Sequence, residues 1–180
     1  MTKKQIAALK RIVDREIFRN NKDKRFIPAG AHPCDDGYVV TDGYVAILFP
    51  DKPEGLSVAE RITHIGKMIK DECRNGNHVL IDSKFPLDEW KRFARQEEKQ
   101  GVQPRVTIGD DIIVDGFGLT TDFNPRLVID AMEAIGAGAM AYIGGVKGRS
   151  HNTLLIYPKD WMDDPDNCPV AFVLPLRRKT

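Results

Sequence analysis

Between residues 4 and 19 the apolar side chains Ile6, Leu9, Val13 and Ile17 recur at three- and four-residue steps, the spacing that lines up one stripe of an α-helix. Lys4, Arg11, Arg15 and Arg19 fall on the opposite face, joined by Lys22 if the helix runs that far. Beyond it the period shortens, and strands are predicted over 25–31, 38–41 and 44–49, separated by the turn signals Asp35-Asp36-Gly37 and Asp42-Gly43. A linker over 50–56 carries Pro and Gly. The capping box Ser57-x-x-Glu60 then opens a helix with Val58, Ile62, Ile65 and Ile69 on one face, stopped by Gly76.

A strand follows over 78–85, then a helix over 87–100 that turns Leu87, Trp90, Phe93 and Ala94 inward and leaves Arg92, Arg95 and Lys99 opposite. A hairpin over 105–108 and 112–114 is closed by Gly109-Asp110-Asp111. Phe123-Asn124-Pro125 opens a further helix that reaches about Ile135 and stops at Gly136, and three apolar runs over 140–143, 153–157 and 170–176 complete the pattern. Helix-plus-hairpin units thus start near residues 4, 78 and 119. The expected class is α+β, with helices on one side of curved antiparallel sheets.

Composition changes this picture little. A 180-residue chain can bury roughly 70% of its unfolded surface. No apolar run approaches the roughly 20 residues of a membrane span. The first residues alternate charge with apolar side chains and show no signal-peptide pattern, so a cytoplasmic location is expected. Cys34, Cys73 and Cys168 lack metal-type spacing and fit free thiols in a reducing compartment. Charge matters more by position than by sum. The net charge is only +1, yet residues 1–25 hold nine Lys or Arg against three Asp or Glu. The basic helix face is therefore either a solvated surface or a stripe that faces phosphate.

Catalytic and cofactor chemistry finds no foothold. Gly136-Ala137-Gly138 superficially matches a dinucleotide fingerprint, but a helix precedes it and a strand follows, the reverse of the required order. These glycines read as a helix stop and turn. His32-Pro33-Cys34-Asp35-Asp36 and Met162-Asp163-Asp164-Pro165-Asp166 lack the spacing of zinc or calcium sites and read as turns. His32, His64, His78 and His151 are scattered, with no nucleophile motif beside them. No catalytic residue, metal site or cofactor is expected.

The unit from Phe123 to Arg178, a helix followed by three strands that ends as Val173-Leu174-Pro175-Leu176-Arg177-Arg178, resembles the closing half-domain of the bacterial DNA sliding clamp, the beta subunit of DNA polymerase III. That family opens its last helix with Phe-Asn and ends on a Met-Pro-Met-Arg-like strand. Thr41-Asp42-Gly43 resembles the family's Thr-Asp-Gly-His-Arg-Leu hairpin, with Tyr44, Val45 and Ala46 in place of His-Arg-Leu. The segment 104–115 also looks like a clamp hairpin.

The resemblance implies a processivity-clamp fold of half-domain repeats: a clamp-like region over 1–118 with an inserted helix at 57–75, and a terminal half-domain over 119–180. It implies a non-enzymatic protein of DNA replication or repair, of phage or mobile-element character, too short to close a ring alone, with homo-oligomerisation open. Double-stranded DNA would be met without sequence preference by Lys4, Arg11, Arg15, Arg19, Lys22, Arg92, Arg95 and Lys99. Polymerase or repair proteins would bring short peptide motifs to a groove of Thr41, Gly43, Tyr44, Phe172, Leu174, Pro175, Leu176 and Arg177. The alternative is a clamp-derived adaptor or inhibitor that binds protein partners without encircling DNA.

Overall fold

A computed structural model describes residues 1–23, 29–60, 64–75, 77–81, 85–108, 113–114, 117–118, 121–145, 152–161, 163–164 and 166–176. Four helices are seen among them: α1 (Lys3–Lys22), α2 (Ile65–Asn75), α3 (Leu87–Lys99) and α4 (Pro125–Ile135). A seven-stranded sheet takes β1 (His32–Cys34), β2 (Gly37–Thr41), β3 (Val45–Phe49), β4 (Asn77–Ile81), β9 (Met140–Gly145), β10 (Thr153–Tyr157) and β11 (Val170–Val173) in the order β1-β2-β3-β11-β10-β9-β4. Its neighbours all pair antiparallel. Two short ribbons stand apart, β5 (Val106–Ile108) with β8 (Thr121–Phe123), and β6 (Ile113–Val114) with β7 (Phe117–Gly118). The class is α+β.

The order of strands places two units of the same topology back to back. The first is α1 followed by β1, β2 and β3; the second is α4 followed by β9, β10 and β11. They meet where β3 pairs with β11, Val45 opposite Val173 and Leu48 opposite Val170. A boundary near 118/119 therefore runs through one continuous sheet. The unit expected to start near residue 78 contributes only its strand, β4, at the edge beyond β9.

Alternate strand residues face opposite sides. Val40, Ile47, Ile143, Leu154, Ile156 and Val173 join Leu9 and Ile12 of α1 and Val128 and Ala131 of α4 in the main core. Val39, Leu48, Tyr142, Leu155 and Phe172 join Ile69 of α2 on the other face. Covering both faces explains why these strands read as unbroken apolar runs instead of alternating ones. The α3 helix lies chiefly against α4, with Leu87 and Trp90 packed on the main core.

Four sequence expectations shift for identifiable reasons. On α1 the buried positions are Ala8, Leu9, Ile12 and Glu16, and Ile17 is 45% exposed, so the inward face is rotated from the stripe of large apolar residues. Glu16 is drawn inward by His32, whose Nε2 lies 2.6 Å from its carboxylate. The second helix begins at Ile65, not at Ser57, because the chain at 57–59 bonds alongside Ala31: Ala31 N donates to Ser57 O, and Ala59 N to Ala31 O. His32–Cys34, read as part of a turn, is the first strand. Phe93 is 38% exposed, because the inward face of α3 is set by fully buried Ala94 and by Leu87 and Trp90, the latter stacked on Phe85 against the main core. Residues 25–28, Ile62, Gly76, the 109–111 turn, His151 and Arg177 lie outside the described residues.

Candidate functional site

The basic stripe of α1 has partners that its own sequence does not reveal. A capping box formed by Thr2 and Gln5 starts the helix, and Gln5 Nε2 then donates to the Ala134 and Ile135 carbonyls at the far end of α4. From that anchor α1 runs back along α4. Arg11 Nε donates to Asp130 Oδ1 at 2.6 Å and its Nη2 to Glu133 Oε2 at 2.6 Å. Arg15 bridges Asp42 and Asp130, both at 2.5 Å. Lys91 of α3 reaches Glu133 at 2.6 Å, and Lys4 approaches the same carboxylate at 3.5 Å.

Asp42, Asp130 and Glu133 are all buried, whereas Arg11 and Arg15 are partly exposed. Burial alone would raise the Glu133 pKa; Lys91, Lys4 and Arg11 outweigh it and hold the carboxylate below its ordinary range. These contacts satisfy charges that would otherwise be very costly to bury.

Arg11, Arg15 and Arg95 line one open cleft of about 620 Å³ between α1, α3 and α4. Its walls carry five cations, the other two being Lys91 and Arg126, and four carboxylates, Asp14, Glu98, Asp130 and Glu133, so its charge is nearly balanced. Arg126 is itself paired with Glu98. Lys4 lies in a neighbouring cleft, beside Met132 and Gly136. Arg92 and Lys99 are exposed on α3, and Lys22 is exposed at the end of α1. Arg19 turns away from this group, its Nη1 donating to the Asp42 carbonyl at 2.7 Å and its guanidinium lying 5.2 Å from the Tyr44 ring centre.

The Thr41–Tyr44 turn and the end of β11 lie side by side. Leu174 N donates to Tyr44 O at 2.8 Å, directly beyond the pairing of Val173 with Val45. The turn is held from within: Thr41 Oγ1 donates to Val45 O, Gly43 N to Thr41 Oγ1, and Asp42 Oδ1 accepts from Tyr44 N and Val45 N. Gly43 has φ +84°, and a side chain there would collide with the Arg19 guanidinium. The two segments are hydrogen-bonded neighbours, and of their side chains Tyr44 is 56% and Leu174 37% exposed. Phe172 is buried under the opposite face. The strand ends at Val173, two residues before Pro175, whose missing N–H cannot extend the ladder. Leu176 N donates instead to Asp122 O.

One buried polar group was not foreseen as such. His32 is fully buried, with Nδ1 2.7 Å from Glu60 O and Nε2 2.6 Å from Glu16, and Glu16 also accepts from Gly30 N. Both ring nitrogens face acceptors, the arrangement of an imidazolium. Burial would lower its pKa, but the Glu16 carboxylate and the Glu60 carbonyl outweigh that and raise it. The group ties α1 to the first strand. The sequence signal was only a His beside a Pro-Cys turn.

Among the described residues no cluster of His, Cys, Asp and Glu could hold a metal ion, and no helix is long and apolar enough to cross a membrane. No protein-family profile, curated protein or solved structure matches the chain.

Proposed function

We propose that this chain is a non-enzymatic, sliding-clamp-like binding protein of DNA replication or repair, with the processivity-clamp fold. The observation that carries the reading is the duplicated unit of one helix and three antiparallel strands, joined through β3 and β11 with both helices on one face of the sheet. The Thr-Asp-Gly turn and the Pro-containing terminal segment, the two sequence landmarks of the resemblance, adjoin at that junction. A duplex would meet the helical side through Arg19, Lys22, Arg92, Arg95 and Lys99. Affinity would be sequence-independent and would fall with salt by about 0.9 log units per decade for each phosphate neutralised.

The nearly balanced charge of the α1–α3–α4 cleft favours a second reading, an adaptor that binds protein partners without encircling DNA. Its contact surface would be Tyr44 and Leu174.

Fluorescence anisotropy with duplex DNA at low salt separates the two. Binding that weakens alike on all sequences in the Arg92→Glu, Arg95→Glu, Lys99→Glu triple variant supports the DNA reading; absence of binding removes it. In parallel, a Gln- and Leu-rich clamp-binding peptide should be captured by the native chain and lost in Leu174→Glu with the circular dichroism unchanged. A native chain that captures neither ligand overturns both readings.

A further inference from the structure

On the sheet face opposite α1 and α4, a cavity of about 280 Å³ lies between α2, the ends of β3, β10 and β11, and Trp161, Asp166 and Cys168 of the connection that leads into β11. Leu48, Pro50 and Val170 form its apolar side, and Tyr157 and Trp161 its aromatic wall. The two rings stack with centres 4.4 Å apart, and Tyr142 stands edge-on to both. The polar groups of this wall are engaged with their neighbours: Trp161 Nε1 donates to the Tyr142 hydroxyl at 3.3 Å, and the Tyr157 hydroxyl pairs with the Cys73 thiol. What the wall offers a ligand is therefore ring surface, supplied by Trp161, which is only part-buried.

The charge around the cavity is predominantly negative. Its lining holds two carboxylates, Asp36 and Asp166, against one cation, Lys70, which lies 3.1 Å from Asp36. Burial raises the pKa of the Cys168 thiol, and Asp160, Asp164 and Asp163 stand close enough to raise it further. A carboxylate that already has one partner keeps further acceptor positions. The mouth therefore attracts positive charge and repels negative charge. A metal ion could make no use of the apolar walls; the cation that fits both walls and rim is an organic one, whose ammonium group gains from aromatic faces as well as from carboxylates. The volume suits a single ring, since an apolar cavity of about 150 Å³ already admits benzene.

We infer that this cavity is a binding site for a small organic cation, an ammonium group on an apolar body of about one ring, with the body against Leu48, Val170 and Trp161 and the charge toward Asp36 and Asp166. The site is independent of the clamp reading, because it lies on the other face of the sheet from the DNA-facing helices and uses none of the residues assigned to DNA or peptide.

The test is titration of the full chain with benzylammonium, its neutral counterpart benzyl alcohol, and benzoate, followed by the indole N–H signals in ¹H–¹⁵N spectra. Trp161 lines the cavity and should shift saturably, while Trp90, stacked on Phe85 elsewhere, serves as the internal control. Benzylammonium should bind roughly two- to fivefold more tightly than benzyl alcohol, the range expected for an ion pair at a partly exposed rim, and benzoate should bind most weakly. Raised salt should close the gap between the first two, since it screens the rim charges and leaves the apolar contacts in place. Asp166→Asn, a change at an exposed position that leaves the fold intact, should weaken benzylammonium and leave benzyl alcohol unchanged. Cys168→Phe, which fills the cavity, should abolish binding of both. A Trp161 signal unmoved by every probe overturns the inference. So does benzyl alcohol binding as tightly as benzylammonium, an Asp166→Asn chain with undiminished benzylammonium affinity, or binding retained in Cys168→Phe.

Discussion

The two helix-plus-three-strand units share a topology but not a role. In the second, α4 is buried from Leu127 to Ile135, including Asp130 and Glu133. In the first, α1 buries only Ala8, Leu9, Ile12 and Glu16, and its less buried surface carries Lys4, Arg11, Arg15 and Arg19 beside exposed Ile17 and Phe18. One helix is the centre of the core and the other its cover. Carboxylates on the buried helix are tolerable only because the covering helix supplies guanidinium groups with two directed donors each. The same stripe that looks like a ligand surface is thus also the cement between the units. A charge-reversal experiment at Arg11 and Arg15 would mix loss of DNA binding with loss of folding, which is why the α3 cations make the cleaner probe.

The largest expected effect breaks this joint. Arg15→Glu would set a carboxylate beside Asp42 and Asp130, which are 3% and 4% exposed. It should destabilise the chain by about 3–5 kcal/mol or more, as breaking a buried pair does, and urea unfolding would measure it. A loss under about 1 kcal/mol would mean that apolar packing alone holds the units together.

The pH profile sharpens the comparison next, because the two joints fail on opposite sides. Glu133 is held below its ordinary pKa, so its contribution is fully present above the unfolded carboxylate value of about 4.3 and is lost as pH falls through the lower folded value. His32 is displaced upward, so its contribution is fully present below about pH 6.5 and is lost as pH rises through the raised folded value. Unfolding free energy measured from about pH 3 to about pH 9 should fall at both ends, and His32→Asn should flatten the alkaline limb while leaving the acid limb in place.

Smaller effects mark the turn and the caps. Gly43→Ala should cost roughly 1–2 kcal/mol, because φ +84° strains an L side chain and Arg19 must vacate its place against the turn. Thermal unfolding would register it, and a neutral result would mean that the turn relaxes freely. Thr2→Ala removes an exposed cap from α1 and should cost about 1 kcal/mol or less. Asn124→Ala, which uncaps the buried α4 in the same way, should cost more than Thr2→Ala.

The positions of α1, α3 and α4, of the last three strands and of the two turn signals followed from the amino-acid pattern alone, because periodicity, Gly, Pro and capping residues act over a few neighbouring residues. Phe123-Asn124-Pro125 and Gly136 bounded α4 in the sequence as they do in the structure: Asn124 caps it and Gly136 ends it. What no local pattern could supply is partnership over distance. Nothing near Arg11 or Arg15 reveals that Asp130 and Glu133, more than 110 residues away, will be buried against them. Nothing near Ser57 reveals that the chain at 57–59 will bond to Ala31 and forgo a helical turn. His32 read as part of a turn until the fold placed it against Glu16. Local rules fix which conformations a segment prefers, but the partners of a charge or of a backbone N–H depend on which segments the sheet brings into contact, and that was decided only when β3 and β11 paired.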